Sequence, residues 1–172
     1  MDYQKTLRAL TDFGMEPEKE MWTLSKKIRE MTVAVSNSPA VWLRKEFDAP
    51  KPIRRATVSV SGLGLFELYV NGQRISDHQL DPAFTDYQKR VFYLTHDVTA
   101  ALKTGRNAVG VVLGNGWFNL VIPHTLRYYA ADYIAPPQLR LDLDIEYTDG
   151  SHKIIGSDES WKFTTDGPIR FN

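Results

Sequence analysis

Carboxylates are the most numerous groups in this chain able to do acid–base chemistry, with Asp and Glu together numbering 21. A facing pair of them is what glycosidic-bond hydrolysis requires. Their placement argues against that use here. Asp142, Asp144 and Glu146 alternate with Leu141, Leu143 and Ile145, so they fall on the wet face of a half-buried strand. Asp158 and Glu159 stand just ahead of another strand pattern. All five read as solvated surface charge. His78, His96, His124 and His152 lie in separate segments without metal-ligand spacing, so no zinc site is expected. There is no cysteine, which excludes disulfides and thiolate ligation. No serine stands in a nucleophile-elbow context. Gly62-Leu63-Gly64 lacks the following helix and the Lys-Ser or Lys-Thr of a phosphate loop, and reads as a bend or bulge between strands.

What remains is recognition chemistry. Aromatic faces stack on the C–H groups of sugars, while Asn, Asp, Arg and Tyr bond the hydroxyls. Gly114-Asn115-Gly116-Trp117, at a strand end, holds both elements, with glycines that let the backbone turn sharply. Burial competes with that use. Tryptophan is highly buried on average, so a core position is the first expectation for Trp117, and all the more for the strand-embedded Trp42 and Trp161.

The elements that must position these residues are strands. Val41, Leu43 and Phe47 alternate with Trp42, Arg44 and Glu46, until Pro50-Lys51-Pro52 blocks continuous pairing. Ala56, Val58 and Val60 alternate with Thr57, Ser59 and Ser61; Phe66, Leu68 and Val70 alternate with Glu67 and Tyr69. Asn71-Gly72 follows at once, a strong hairpin signal because both residues tolerate positive φ. Ile75 belongs to the returning strand. Further strands are expected over Arg90–Thr95 and Ala108–Leu113, at Ile154-Ile155 and over Trp161–Phe163. A helical turn is expected over Asp97–Leu102, stopped by Gly105. Leu139, Leu141, Leu143, Ile145 and Tyr147 form the clearest inward face, turned at Asp149-Gly150. Ahead of all this, Met21, Leu24, Ile28 and Met31 fall on one helical face over Glu16–Met31, with Pro17 suited to the first turn. The stretch Asn115–Pro137 is unpatterned and rich in aromatics (Trp117, Phe118, Tyr128, Tyr129 and Tyr133). Long structured loops in compact domains are more often functional or interfacial than idle.

Frequent short strands with turn residues between them predict an all-β, antiparallel two-sheet β-sandwich of jelly-roll, galactose-binding-like type. The predicted organisation is an N-terminal helical or linker segment at 1–38 and a sandwich domain at 39–172. The 172 residues suit one domain, and 42% of them are hydrophobic, enough for a core. Lys+Arg also number 21, so formal net charge is zero and gives no electrostatic reason for a nucleic-acid or anionic-membrane partner. No apolar run is long enough to span a bilayer, and Met1–Asp12 has no signal-peptide apolar region. The residues favour no particular compartment.

Taken in order, the motifs resemble a known family. They are Ala56-Thr57-Val58-Ser59-Val60-Ser61-Gly62-Leu63-Gly64, Glu67-Leu68-Tyr69-Val70-Asn71-Gly72, and Leu80-Asp81-Pro82-Ala83-Phe84-Thr85-Asp86-Tyr87 with Lys89-Arg90. Tyr93, Asp97-Val98-Thr99, Gly105-Arg106-Asn107 and Leu113-Gly114-Asn115-Gly116-Trp117-Phe118 follow. Tyr147-Thr148-Asp149-Gly150, Asp158-Glu159-Ser160-Trp161-Lys162 and Gly167-Pro168-Ile169 complete the series. This series, across roughly Pro39 to Ile169, resembles the N-terminal β-sandwich domain of bacterial α-L-rhamnosidases. A Tyr-Val-Asn-Gly hairpin alone is weak; the whole series is specific.

The resemblance implies a parent enzyme that removes terminal α-L-rhamnose with inversion, using carboxylates on a downstream (α/α) barrel. No catalytic residue carries over to this chain, which is expected to be a fragment of that enzyme. The expected function is a non-catalytic accessory module partnering the barrel. The alternative is an independent, lectin-like module recognising L-rhamnose, for which the resemblance also allows help from calcium. Its site is expected at a sheet edge near Asn71, Asn115 and Trp117, each amide pointing out of the sandwich. Asp81 or Asp86, with nearby carbonyls, is the candidate oxygen cage for calcium. No cofactor is required on this reading. Residues 119–137 depart from the Gly-rich loop of the family pattern.

Overall fold

The structure, a computed structural model, describes residues 39–119, Tyr133, 135–170 and Asn172. Among the described residues nine strands follow in order: β1 (Val41–Ala49), β2 (Ile53–Leu63), β3 (Leu65–Val70), β4 (Gln73–Arg74), β5 (Leu94–Asp97), β6 (Gly105–Gly114), β7 (Gln138–Tyr147), β8 (His152–Gly156) and β9 (Lys162–Thr164). They form two sheets, a five-stranded one in the order β4-β3-β6-β1-β9 and a four-stranded one in the order β5-β2-β7-β8. Every pairing is antiparallel. The described residues are thus all-β, with one short 3-10 turn at Thr99–Ala101. The helix expected over Glu16–Met31 lies outside the described residues.

Period-two patterning places the core between the sheets. Ala56, Val58 and Val60 on β2 and Leu141, Leu143 and Ile145 on β7 are fully buried, facing Leu68, Val70, Val109 and Val111 of the other sheet. Tyr147 is buried with them, while Leu139 is only partly covered at the sheet's end. Arg140, Asp142, Asp144 and Glu146 take the opposite face, as one-residue alternation demands. The Asn71-Gly72 turn has φ of 50° and 83°, and Val70 pairs directly with Gln73. Positive φ at both central residues gives the hand of turn that matches strand twist.

Four expectations are corrected. The strand predicted over Arg90–Thr95 begins only at Leu94. Val91, Phe92 and Tyr93 are all exposed, so no alternating buried face holds them to β2. Instead the Ser61 hydroxyl donates to the Phe92 carbonyl just before the chain enters the sheet at Leu94 (2.8 Å). The turn after β5 spans three residues and ends at an extended Leu102, so Gly105 opens β6 rather than stopping a helix. Ile75 falls just beyond the two-residue β4, although its amide still donates to Leu68 (3.0 Å). Trp161 precedes β9 rather than belonging to it; its indole N–H donates to the Gly156 carbonyl (2.9 Å).

Candidate functional site

The predicted site residues fall into two separate places. Asn71 lies past the Val70 end of β3, whereas Asn115 follows the strand pairing Leu65 with Gly114 at the other end. About seven residues of strand, on the order of 20 Å, separate them. Neither amide points outward for a ligand. The Asn71 amide nitrogen donates to the Ala101 carbonyl and to Asn107 Oδ1 (both 2.8 Å), while its oxygen accepts from the Ala108 N–H (2.9 Å). Asn115 is buried. Its amide nitrogen donates to the Asn172 carbonyl (2.8 Å), and its side-chain oxygen accepts from Asn119 Nδ2 (2.9 Å). Both asparagines therefore tie loops together. The site drawn through Asn71, Asn115 and Trp117 is corrected to two unconnected positions.

Trp117 overturns the first expectation in the other direction, since it is 45% exposed rather than core. The residue that fills the core side is its neighbour Phe118, 5% exposed. Gly116 forces this arrangement. Its φ is +51°, and a Cβ there would stand 2.7 Å from Leu65 Cγ and 3.0 Å from Gly64 C. The tight turn throws successive side chains to opposite sides.

A long loop completes the surface. The Phe66 N–H donates to the Asp81 carbonyl (2.7 Å), which pins residues 80–93 across the start of β3. Phe84 then meets Trp117 edge-on at 5.9 Å and Tyr87 at 5.6 Å. Tyr87 in turn meets Phe118 at 5.2 Å and Tyr133 at 5.1 Å, and Phe118 stacks on Tyr133 at 6.2 Å. Each such ring pair contributes about 0.5–1.5 kcal/mol beyond area burial. Burial raises the Tyr87 phenol above its ordinary range, with Tyr133 adding to the shift. Leu80, Phe84, Val91, Phe92 and Tyr93 are all exposed large apolar residues of this one loop. Phe84 and Tyr87 were visible in the sequence only as part of a motif. Nothing in local spacing shows that Phe84 meets Trp117 and Tyr87 meets Phe118, some 30 residues later.

The candidate metal residues stand on the same loop without forming a cluster. Asp81 Oδ2 lies 3.3 Å from His78 Nδ1, and Asp86 Oδ2 lies 2.8 Å from Lys89 Nζ. The Lys89 hydrogen bond holds the Asp86 carboxyl below its ordinary pKa. No group of three or more His, Cys, Asp or Glu side chains gathers among the described residues. The surface carboxylates of β7 are likewise each beside a basic side chain. Arg140 grips Asp142 through two bonds of 3.0 Å, Arg54 donates to Glu146 at 2.8 Å, and His152 meets Asp144 at 2.9 Å.

A concavity opens on the outer face of the four-stranded sheet. Ser59, Ser61, Gln138, Arg140 and Asp142 line a cleft of about 590 Å³ beside Tyr93, which is 68% exposed.

The family described as "Alpha-L-rhamnosidase N-terminal domain" matches residues 51–172. The chain belongs to this family. An α-L-rhamnosidase of Formosa agariphila is 37% identical over 148 residues, 83% of this chain and 15% of that protein. Among solved structures, the α-L-rhamnosidase of Dictyoglumus thermophilum superposes with a TM-score of 0.67 at 46% identity, over 78% of this chain and 14% of that one. The Streptomyces avermitilis α-L-rhamnosidase, solved with L-rhamnose, gives 0.69 at 37% identity, over 78% of this chain and 13% of that one. The chain thus spans about one-seventh of the length of the rhamnosidases it matches. On the surface of this N-terminal rhamnosidase domain, five of the exposed large apolar residues come from the loop 80–93.

Proposed function

We propose that this chain is a non-catalytic accessory domain of an α-L-rhamnosidase, docking through its aromatic loop surface onto the rest of the parent enzyme. One observation carries the reading. Five exposed large apolar residues come from the single loop 80–93, and Trp117 meets one of them, Phe84. Soluble surfaces that concentrate large apolar side chains mark interfaces. Relatives several times longer than this chain support the reading that it belongs to a larger enzyme, of which the expected (α/α) barrel is the catalytic part. The jelly-roll, galactose-binding-like form of sandwich suits such a support.

The test separates the domain from its parent. The remainder of the enzyme is expressed without it, and aryl α-L-rhamnosidase activity and Tm are measured before and after adding the domain. Addition is expected to raise the Tm of the remainder and to restore activity, while the domain alone turns over nothing. Phe84→Ser/Trp117→Ser is expected to weaken association at least tenfold while keeping the β-sheet circular dichroism. A remainder equally stable and active without the domain would refute the docking role.

A second reading, direct binding of L-rhamnose, draws on the cleft beside Tyr93. One exposed ring beside serine, glutamine, arginine and aspartate side chains is the recipe for holding a deoxyhexose. Calorimetric titration with L-rhamnose, with and without calcium, tests it. Wild type, Tyr93→Ala, Trp117→Ala and Asp81→Asn/Asp86→Asn separate the cleft, the tryptophan and the metal contributions. Absence of heat from the wild type at millimolar sugar removes this reading.

A further inference from the structure

The outer face of the five-stranded sheet carries a trough that neither the docking surface nor the cleft beside Tyr93 uses. Phe47 and Ala49 of β1 face the core, so strand alternation turns Trp42, Arg44 and Glu46 to this outer face. Pairing then sets one row across four strands. Tyr69 of β3 lies opposite Gly110 of β6, Gly110 opposite Arg44 of β1, and Arg44 opposite Lys162 of β9. All of them line one concavity of about 850 Å³. Arg44 and Lys162 also line a smaller one of about 210 Å³, beside Lys45 and Ser160. The missing side chain at Gly110 opens a gap in the floor where a ligand can approach the backbone. Tyr69 and Arg44 stand on the strands either side of that gap, two ladder spacings or about 10 Å apart.

The two sides of the gap differ in charge. On one, the Tyr69 hydroxyl donates to Glu67 Oε2 (2.7 Å) and Arg74 lies 3.1 Å from Glu67 Oε1, so the ring is tethered and the carboxylate is balanced. On the other, Arg44 bonds Glu46, whose second oxygen lies 3.9 Å from Arg106. Lys162 has no carboxylate partner among the described residues. That side therefore holds more cationic than anionic groups. A guanidinium carries more N–H donors than one carboxylate occupies, so Arg44 keeps donors for a further anion while it holds Glu46. An aromatic face on one side and unbalanced cations on the other match a ring that is apolar on its face and anionic at its rim. We propose that the trough binds an acidic oligosaccharide, with a uronic acid ring over Gly110, its C–H face against Tyr69 and its carboxylate held by Arg44 and Lys162. A carboxylate fits because its two oxygens match the fork of a guanidinium. A neutral deoxyhexose offers nothing to these cations, so the ligand class differs from L-rhamnose, and the trough lies on the other sheet from the cleft beside Tyr93. None of its residues belongs to the aromatic loop surface, so the site goes beyond the docking role and is independent of it.

Calorimetric titration of the whole chain with tri-galacturonic acid tests the site, against the methyl ester of the same sugar, which keeps the rings and removes the charge. The acid is expected to bind with a Kd on the order of millimolar or tighter, more weakly as salt is raised, and the ester at least tenfold more weakly than the acid. Arg44 and Lys162 are exposed. Arg44→Gln/Lys162→Gln is expected to weaken binding of the acid at least tenfold with unchanged β-sheet circular dichroism. Gly110→Val separates a seated ring from general attraction between charges. Its added Cβ has the Leu43 carbonyl oxygen as nearest neighbour at 3.5 Å, and valine suits a strand, so the sheet is expected to hold while the gap is filled. Every cation remains, yet affinity is expected to fall at least tenfold. No heat from the wild type at millimolar acid, equal binding of acid and ester, or unchanged affinity in either variant overturns the proposal. Arg44→Gln/Lys162→Gln reads the site even if Gly110→Val should unfold the sheet. Neither variant touches Phe84, Trp117 or Tyr93, so failure here is distinct from failure of docking or of L-rhamnose binding.

Discussion

Asn71→Ala tests whether the hairpin asparagine is structural. Its side chain makes three hydrogen bonds, to the Ala101 carbonyl, Asn107 Oδ1 and the Ala108 N–H. At about 1 kcal/mol net each, and with water replacing part of the exposed ones, their loss costs about 2 kcal/mol. Asn71 also sits at φ +50°, where a Cβ-bearing residue other than Asn or Asp adds about 1 kcal/mol. Asn71→Ala is therefore expected to cost about 3 kcal/mol and Asn71→Gly about 2 kcal/mol. Its partner Asn107 is buried, bonds the Lys103 and Gly105 carbonyls through Nδ2 (2.6 and 2.8 Å), and accepts the Lys103 N–H (3.0 Å). Asn107→Ala strands those backbone groups and is expected to cost about 3–4 kcal/mol. The double variant should fall short of additivity by about 1 kcal/mol, the worth of the shared bond. Urea unfolding followed by tryptophan fluorescence reads all four. A cost below about 1 kcal/mol for Asn71→Ala, no advantage of Gly over Ala, or a coupling of zero would refute the structural assignment.

Ile154 and Ile155 are chemically identical neighbours, 68% and 8% exposed; Ile155→Ala is expected to cost about 3 kcal/mol and Ile154→Ala within about 0.5 kcal/mol, and similar losses would show that β8 is out of register. Gly64→Ala drives a Cβ to 2.2 Å from the Gly114 carbonyl oxygen, whereas Gly72→Ala meets nothing within 4 Å; thermal melts should show a far larger fall in Tm for the first, and equal falls would contradict the close β3–β6 approach. The Asp144 hydrogen bond holds the His152 imidazole above its ordinary 6.5. The pair therefore stabilises the fold fully below about pH 6.5 and loses that contribution as pH rises through the folded value. An NMR titration should show the His152 midpoint fall in Asp144→Asn, and an unchanged midpoint would remove the pair as its cause.

Much of the architecture was legible in the residues because strand periodicity is local. Leu141, Leu143, Ile145 and Tyr147 had to share a face whatever lay opposite, since side chains alternate across a pleated strand. Asn71-Gly72 had to turn, since few other pairs hold two positive φ values. The Arg90–Thr95 prediction failed for the same reason that the others succeeded. Apolar residues there suggested a strand, but Val91, Phe92 and Tyr93 find no buried face and stay on the surface.

The tertiary structure alone decided what the motifs do with one another. Strand order β4-β3-β6-β1-β9 joins segments tens of residues apart, and it is set by the sum of long-range contacts rather than by any local pattern. That order puts Asn71 and Asn115 at opposite ends of β3 and β6, so two residues similar in type and turn context never share a site. It brings Phe84 to Trp117 and leaves the indole at the surface, while Phe118 takes the buried place beside it. Local sequence determined which backbone conformations and faces were available to each segment. Which faces met depended on packing between segments distant in the chain, because an amide or a ring is satisfied by whichever partner the fold delivers.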